Sequence, residues 1–249
     1  MAKQNLSQHL ASLGDLFMQT WEIIKKEWKN LLITSLFGVA IGFIGIILMW
    51  IATAIALASG SGAIASIVIL LFTIIAIVAI IIVYSYITIV VTKITKAALE
   101  NKPVEIKKLL MDTLNVEKIK PVATTGLLDG VMSTLWSLLL IIPGLRKGVQ
   151  WTFATIISAT TGKSNREALK ESEKLVKDRR WMTFGYVLAG GLVISIICGI
   201  LSGIFNDTIG SLIGNIISVA FIVFLVLMYF QRSKTAPATK ASKKEEKAE

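Results

Sequence analysis

The stretch that decides the fold runs from Ile64 to Thr92 and reads IASIVILLFTIIAIVAIIIVYSYITIVVT, with no charged side chain in it. A helix rises about 1.5 Å per residue, so roughly 20 apolar residues cross the hydrocarbon layer of a membrane, which is about 30 Å thick. This stretch is longer than that and can cross with tilt. It predicts a helix that is surrounded by lipid.

Further apolar runs lie on both sides of this stretch. They comprise Leu31 to Leu57, Val122 to Ile142, Val149 to Thr161, Met182 to Phe205 and Ile209 to Phe230. The mean hydropathy of the whole chain is +0.72, and only 17% of its residues are charged. A water-soluble domain cannot cover so much apolar surface. The sequence therefore predicts an all-α, polytopic transmembrane bundle of about six spans.

The fourth run, Val149 to Thr161, is short for a crossing. It reaches the required length only if residues 145–148 join the helix, so residues 145–161 either cross fully or re-enter the membrane. Pro143 and Gly144 precede it, and this pair is typical of a turn between helices. We therefore expect a hairpin between the third and fourth runs with its turn at Pro143 and Gly144.

The lysines and arginines predict the orientation, because cytoplasmic loops retain positive charge. With the N-terminus inside, 24 of the 26 basic residues fall on the inner side, and only Arg146 and Lys147 fall outside. We expect a multi-pass protein of the plasma (inner) membrane with both termini in the cytoplasm. The net charge of +10 also predicts contact with anionic lipid headgroups at the inner face. Nucleic acid is not an expected partner.

The predicted organisation has three parts. Residues 1–30 form a cytoplasmic or interfacial amphipathic helix, residues 31–231 form the membrane domain, and residues 232–249 form a disordered charged tail. Within the membrane domain, residues 98–120 and 163–181 are expected to be inner helical segments. Seven apolar residues are predicted to share one face of the first helix, where the tryptophans favour the membrane interface: Leu6, Leu10, Leu13, Phe17, Trp21, Ile24 and Trp28. Ser164 to Glu167 fits a capping box and predicts a helix start.

Asp129 is the one ionisable residue deep within a predicted span, and Thr125 and Ser133 are among the hydroxyl residues near it. A charge at membrane depth is costly, so such a residue is by default a hypothesis of function. One interpretation is a proton or cation site with the hydroxyls as further oxygen ligands. The other is that Asp129, followed by Gly130, caps a helix near the inner interface. The sequence leaves both interpretations open.

Enzymatic chemistry finds little support. Cys198 is the one cysteine and His9 the one histidine, so neither a zinc site nor a Ser-His-Asp arrangement can be assembled. Thr160 to Ser164 resembles the end of a phosphate-binding loop, but position 157 is Ile157 where that motif needs glycine. We expect no catalytic residue, no metal site and no cofactor.

Three pairs of glycines stand four residues apart within the runs and so clear one helix face each, which lets helices pack closely in lipid. They are Gly38 with Gly42, Gly199 with Gly203, and Gly210 with Gly214. We expect these faces to hold the spans of one chain together.

Three segments resemble a family of six-span prokaryotic membrane proteins of unknown function: Trp21 to Trp28, Ile141 to Gly144, and Ser172 to Trp181. The same membrane domain also occurs fused to glycerophosphodiester phosphodiesterases. The resemblance covers most of the chain, but no soluble region is large enough for the phosphodiesterase domain. It therefore implies a membrane module without hydrolase activity.

Two functions follow as expectations. The first is a non-enzymatic membrane module that interacts with lipids, with a protein partner or with a second copy of the chain. The alternative is a small transporter or permeation pathway for an ion or lipid, centred on Asp129.

Overall fold

The computed structural model describes residues 12–139, 141–204 and 207–245. Within these ranges the chain is all helical and has no strand. The helices are α1 (Leu13–Ala58), α2 (Gly62–Leu99), α3 (Ile106–Thr113), α4 (Val116–Leu139), α5 (Ile141–Trp151), α6 (Ala154–Thr161), α7 (Asn165–Val176), α8 (Arg180–Ile204) and α9 (Asp207–Glu245). A short 3-10 turn, Lys177–Arg179, joins α7 to α8.

The predicted amphipathic segment and the first span form one helix, α1. Ser12 and Asp15 make a reciprocal capping box at its start, with the Asp15 amide donating to Ser12 Oγ at 3.2 Å and the Ser12 amide to Asp15 Oδ2 at 2.9 Å. The backbone leaves helical geometry at Glu27, where φ is −109° and ψ is 17°. Because this kink lies just before the apolar run, it separates the direction of the amphipathic part from that of the span.

α1 and α2 form a long hairpin joined at residues 59–61. Gly60 lies in the turn with φ of +61°, a conformation that glycine adopts without steric cost. Large apolar side chains are exposed on the halves of α1 and α2 that adjoin this turn, among them Phe43, Ile47, Trp50, Ile67, Leu70, Ile74 and Ile80. Such faces suit lipid, which solvates apolar side chains at no cost.

The packed core lies at the opposite, charged end of this hairpin. It combines the first turns of α1 with residues 86–98 of α2, the start of α4, α6 and residues 219–229 of α9. Its largest fully buried side chains include Leu16, Tyr86, Ile94, Phe153, Ile157, Phe224 and Leu227. The helices therefore pack together near the basic segments, whereas the apolar side chains nearer the turn between α1 and α2 are largely exposed.

Pro143 and Gly144 do not form the predicted turn. They are the third and fourth residues of α5, which begins at Ile141. The first turn of a helix has no partner for its amides, so a proline is accommodated there. α4 packs against both α5 and α6, so these three helices form a hairpin.

The C-terminal segment also differs from the sequence prediction. α9 continues through Glu245, where a disordered tail was expected from residue 232 onward. Alanine and lysine, which are frequent here, have high helix propensity and extend a helix that the membrane run has already nucleated.

Among the residues that the structure describes, four helical segments are long and apolar enough to cross a membrane: Leu13–Ala58, Gly62–Leu99, Asn165–Leu201 and Ile216–Lys234. The predicted third and fourth spans are not among them. Asp129 and several hydroxyl residues interrupt the apolar run of α4, and α5 and α6 are each too short to cross.

Candidate functional site

Thr125 joins three helices instead of facing a cavity with Asp129. Its side chain is fully buried, and its Oγ1 accepts hydrogen bonds from Ser158 Oγ of α6 and from the Asn165 amide of α7, both at 2.8 Å. The Asn165 amide is one of the unpaired donors at the start of α7. Ser164 makes no side-chain cap there, so the predicted capping box is replaced by Thr125 from another helix.

Asp129 lies one turn further along α4 and is half-buried. Ser133, another turn on, donates its hydroxyl to Asp129 Oδ1 at 3.0 Å. The structure thus brings Asp129 and Ser133 together on one helix face, whereas the oxygen of Thr125 is engaged by α6 and α7. The hydrogen-bond donor to Asp129 is therefore a hydroxyl of its own helix.

A break between α5 and α6 brings α7 into contact with both. The Phe153 amide donates to Ser172 Oγ at 3.2 Å, and Ser172 Oγ donates to the Gln150 carbonyl at 2.7 Å. The fully buried hydroxyl of Ser172 is therefore inserted into the backbone ladder at the point where the helix is interrupted. A side chain inserted into this ladder is one of the recognised causes of a sharp kink.

Glu173, next to Ser172, links α7 to α5. Its Oε1 accepts from Lys147 Nζ at 2.7 Å and from Trp151 Nε1 at 3.0 Å. Lys147 also lies over the ring of Trp151, with its Nζ 5.1 Å from the ring centroid. The sequence prediction placed Lys147 outside and residues 163–181 inside. Groups in hydrogen-bond contact cannot lie on opposite sides of a layer about 30 Å thick, so the two predicted sides cannot both be right.

The glycine faces are used unevenly. A Cβ at Gly38 would lie 2.5 Å from Ile87 Cδ1, so α1 and α2 approach closely there, whereas Gly199 and Gly203 have open space around them and Gly214 is in ordinary contact with Cys198. The surroundings of Gly42 and Gly210 lie outside the part of the chain that the structure describes.

The sequence analysis missed Gly190, where a Cβ would lie 3.0 Å from Phe224 and 3.2 Å from Phe221. In the sequence, the one feature that could have indicated this close contact is the adjacent pair Gly190 and Gly191 in the middle of an apolar run.

Arg232 is a second residue that sequence reasoning missed. It was assigned to the disordered tail, but it is only 3% exposed. Its guanidinium donates to Thr183 Oγ1 of α8 and lies over the ring of Phe153, 5.7 Å from the centroid. This arginine therefore ties α9 to α8 and to the helix break.

The predicted apolar face of the first helix is only partly buried. Leu6 and Leu10 lie outside the described residues, Leu13, Phe17 and Ile24 pack on the core, and Trp21 and Trp28 are exposed. The buried stripe is instead centred on Leu16, Thr20, Ile23 and Glu27. At about 100° per residue, Trp21 and Trp28 lie on the edge of the predicted face that is turned away from Leu16 and Ile23, so the core does not cover them.

Among the residues that the structure describes, no group of three histidine, cysteine, aspartate or glutamate side chains is arranged to hold a metal ion. The polar side chains described above between α4 and α7 bond to one another and to backbone groups. Comparison of the chain with protein-family models, with curated proteins and with solved structures found no match in any of the three.

Proposed function

We propose that this chain is a non-enzymatic membrane module that contacts lipids and a protein partner or a second copy of itself. The observation that supports this most is the use of the interior polar groups. Thr125, Ser158, Ser172 and Glu173 serve as contacts between helices. Buried polar groups that are satisfied in this way rigidify a core and make it unique. The proposal agrees with what the family resemblance implies.

The topology that fits this module has four crossing segments, within residues 31–58, 64–92, 182–204 and 209–230. The hairpin of α4 with α5 and α6 enters from the inner side and returns to it. The contact of Lys147 with Glu173 supports this arrangement. So does the charge, because the two loops that remain outside, residues 58–63 and 206–208, contain no lysine or arginine.

Cysteine labelling from outside distinguishes four spans from six. In a Cys198→Ala background, Arg146→Cys is treated in intact cells with a membrane-impermeant maleimide, beside Ala63→Cys as the outer control and Lys170→Cys as the inner control. We expect labelling of Ala63→Cys only, with Arg146→Cys labelled after the cells are opened. Labelling of Arg146→Cys in intact cells would restore the six-span topology.

The second candidate function is transport of an ion or proton at Asp129. It draws support from the half-buried carboxylate and the aligned Ser133 hydroxyl. Proton flux and ion uptake in liposomes separate the two functions, with wild type and Asp129→Asn compared at matched incorporation. The module predicts no flux above protein-free liposomes in either sample. Flux that is lost in Asp129→Asn, with unchanged thermal stability, would establish transport instead.

A further inference from the structure

One face of α1 is exposed although it carries large apolar side chains. Met18, Trp21 and Trp28 are 64%, 57% and 53% exposed, and Lys25 and Lys29 lie beside them. The residues 18, 21, 25 and 28 follow each other at spacings of three, four and three, so they share one side of the helix. This set of five residues is called the Trp-Lys stripe below. The core of the protein packs on a different side, around Leu16 and Ile23.

The lysines of the stripe are held against its aromatic rings. Lys25 Nζ lies 5.2 Å from the centroid of the Trp21 ring, and Lys29 Nζ lies 5.7 Å from that of Trp28. These cation–π contacts keep an ammonium group beside each indole. Within the part of the chain that the structure describes, neither lysine forms an ion pair with a carboxylate. Lys26, on a neighbouring face, is instead used inside the protein, since it donates to Asn101 Oδ1 at 2.8 Å.

An indole ring with an ammonium group beside it suits the headgroup layer of a membrane, which is partly apolar and carries phosphate charge. Tryptophan favours the interface because its ring is apolar while its N–H is polar, and lysine near an anionic leaflet contributes about 1 kcal/mol. Glu22 is the acidic neighbour of the stripe and opposes part of this attraction. The kink at Glu27 lies between the apolar run and most of the stripe, so it allows the amphipathic part to bend toward the membrane surface.

We propose that the Trp-Lys stripe of α1 is a binding surface for anionic phospholipid headgroups of the inner leaflet. The two indoles enter the interface, and the ammonium groups of Lys25 and Lys29 neutralise lipid phosphates. The inference rests on the proposed membrane module, and it goes further by assigning the lipid contact to one helix face and to one class of headgroup.

Fluorescent probes on single cysteines test the proposal in the full chain with Cys198→Ala. Met18→Cys reports on the stripe, and Met111→Cys of α3 is the matched control because Met111 is 67% exposed. Both variants are reconstituted in vesicles of phosphatidylcholine alone or with phosphatidylglycerol. We expect headgroup spin-labelled lipid to quench position 18 several-fold more than position 111, and only with phosphatidylglycerol present. Lys25→Gln with Lys29→Gln should abolish that difference.

A third probe separates failure of the stripe from failure of the module. Ile67→Cys lies on the exposed outer half of α2 and should be quenched by spin label on the acyl chain in either vesicle. Quenching at position 67 without quenching at 18 would overturn the stripe alone. No quenching at position 67 would overturn the membrane module as well. Equal quenching at 18 and 111 would indicate general adhesion of the basic surface, and would also refute the stripe.

Discussion

The side chain of Ser172 in α7 bridges the helix break before Phe153, since its hydroxyl accepts from the Phe153 amide and donates to the Gln150 carbonyl. Both of these backbone groups are thus satisfied, although Gln150 and Phe153 are buried. The neighbouring Glu173 reaches Lys147 and Trp151 from the same helix. The contacts of α7 therefore hold α5 and α6 in their relative positions and keep Lys147 next to Glu173.

Replacing Ser172 by alanine should destabilise the protein by about 1 to 3 kcal/mol, because buried backbone groups lose a partner. Thermal unfolding in detergent, followed by circular dichroism, measures the effect. Ser66→Ala is the control, since that exposed hydroxyl bonds only to the Gly62 carbonyl of its own helix. A change of equal size in both variants would argue against a special role for Ser172.

Gly190→Ala should destabilise the pairing of α8 with α9. The added methyl group would meet the rigid rings of Phe224 and Phe221, and overpacking of this kind costs about 1 to 3 kcal/mol. Gly191→Ala is a matched control one residue away, with open space around it. Comparison of the two melting temperatures tests the contact, and equal stability of both variants would contradict it.

Thr125→Val keeps the shape of the side chain but removes the acceptor for Ser158 and Asn165. We expect a loss of about 2 kcal/mol and faster hydrogen exchange at the first turn of α7. Thr124→Val serves as the reference, because Thr124 bonds to carbonyls of its own helix. Unchanged exchange at Asn165 in Thr125→Val would show that the helix start is held by other groups.

The free energy of unfolding should depend on pH through Asp112. Hydrogen bonds from Lys118 and Lys93 lower the pKa of its carboxyl below the ordinary value of 3.8. A lowered pKa stabilises the folded state above that ordinary value, and the contribution is lost as the pH falls through the lowered one. The melting temperature of wild type should therefore exceed that of Asp112→Asn slightly at neutral pH, and the difference should close in acid. Because both lysines are partly solvated, salt should also reduce it. A difference that is constant with pH would refute this.

Most of the architecture could be predicted from local pattern. Length and uninterrupted apolarity indicated the parts of α1, α2, α8 and α9 that are long enough to cross a membrane, because the membrane thickness sets the length that a span needs. Whether the hairpin of α4 with α5 and α6 crosses the membrane could not be predicted in the same way. Its polar residues, Asp129 among them, are as compatible with a span that carries a site as with a helix that packs beside α7.

The sequence by itself determined the helical class, the long apolar segments and the concentration of basic charge in particular segments, since these depend on composition and on period along one chain. Only the tertiary structure decided that Thr125 bonds to α6 and α7, that Lys147 meets Glu173, and that Trp21 and Trp28 face away from the core. These are contacts between residues far apart in sequence or choices between faces of one helix. They depend on how helices pack against each other, which no local spacing encodes.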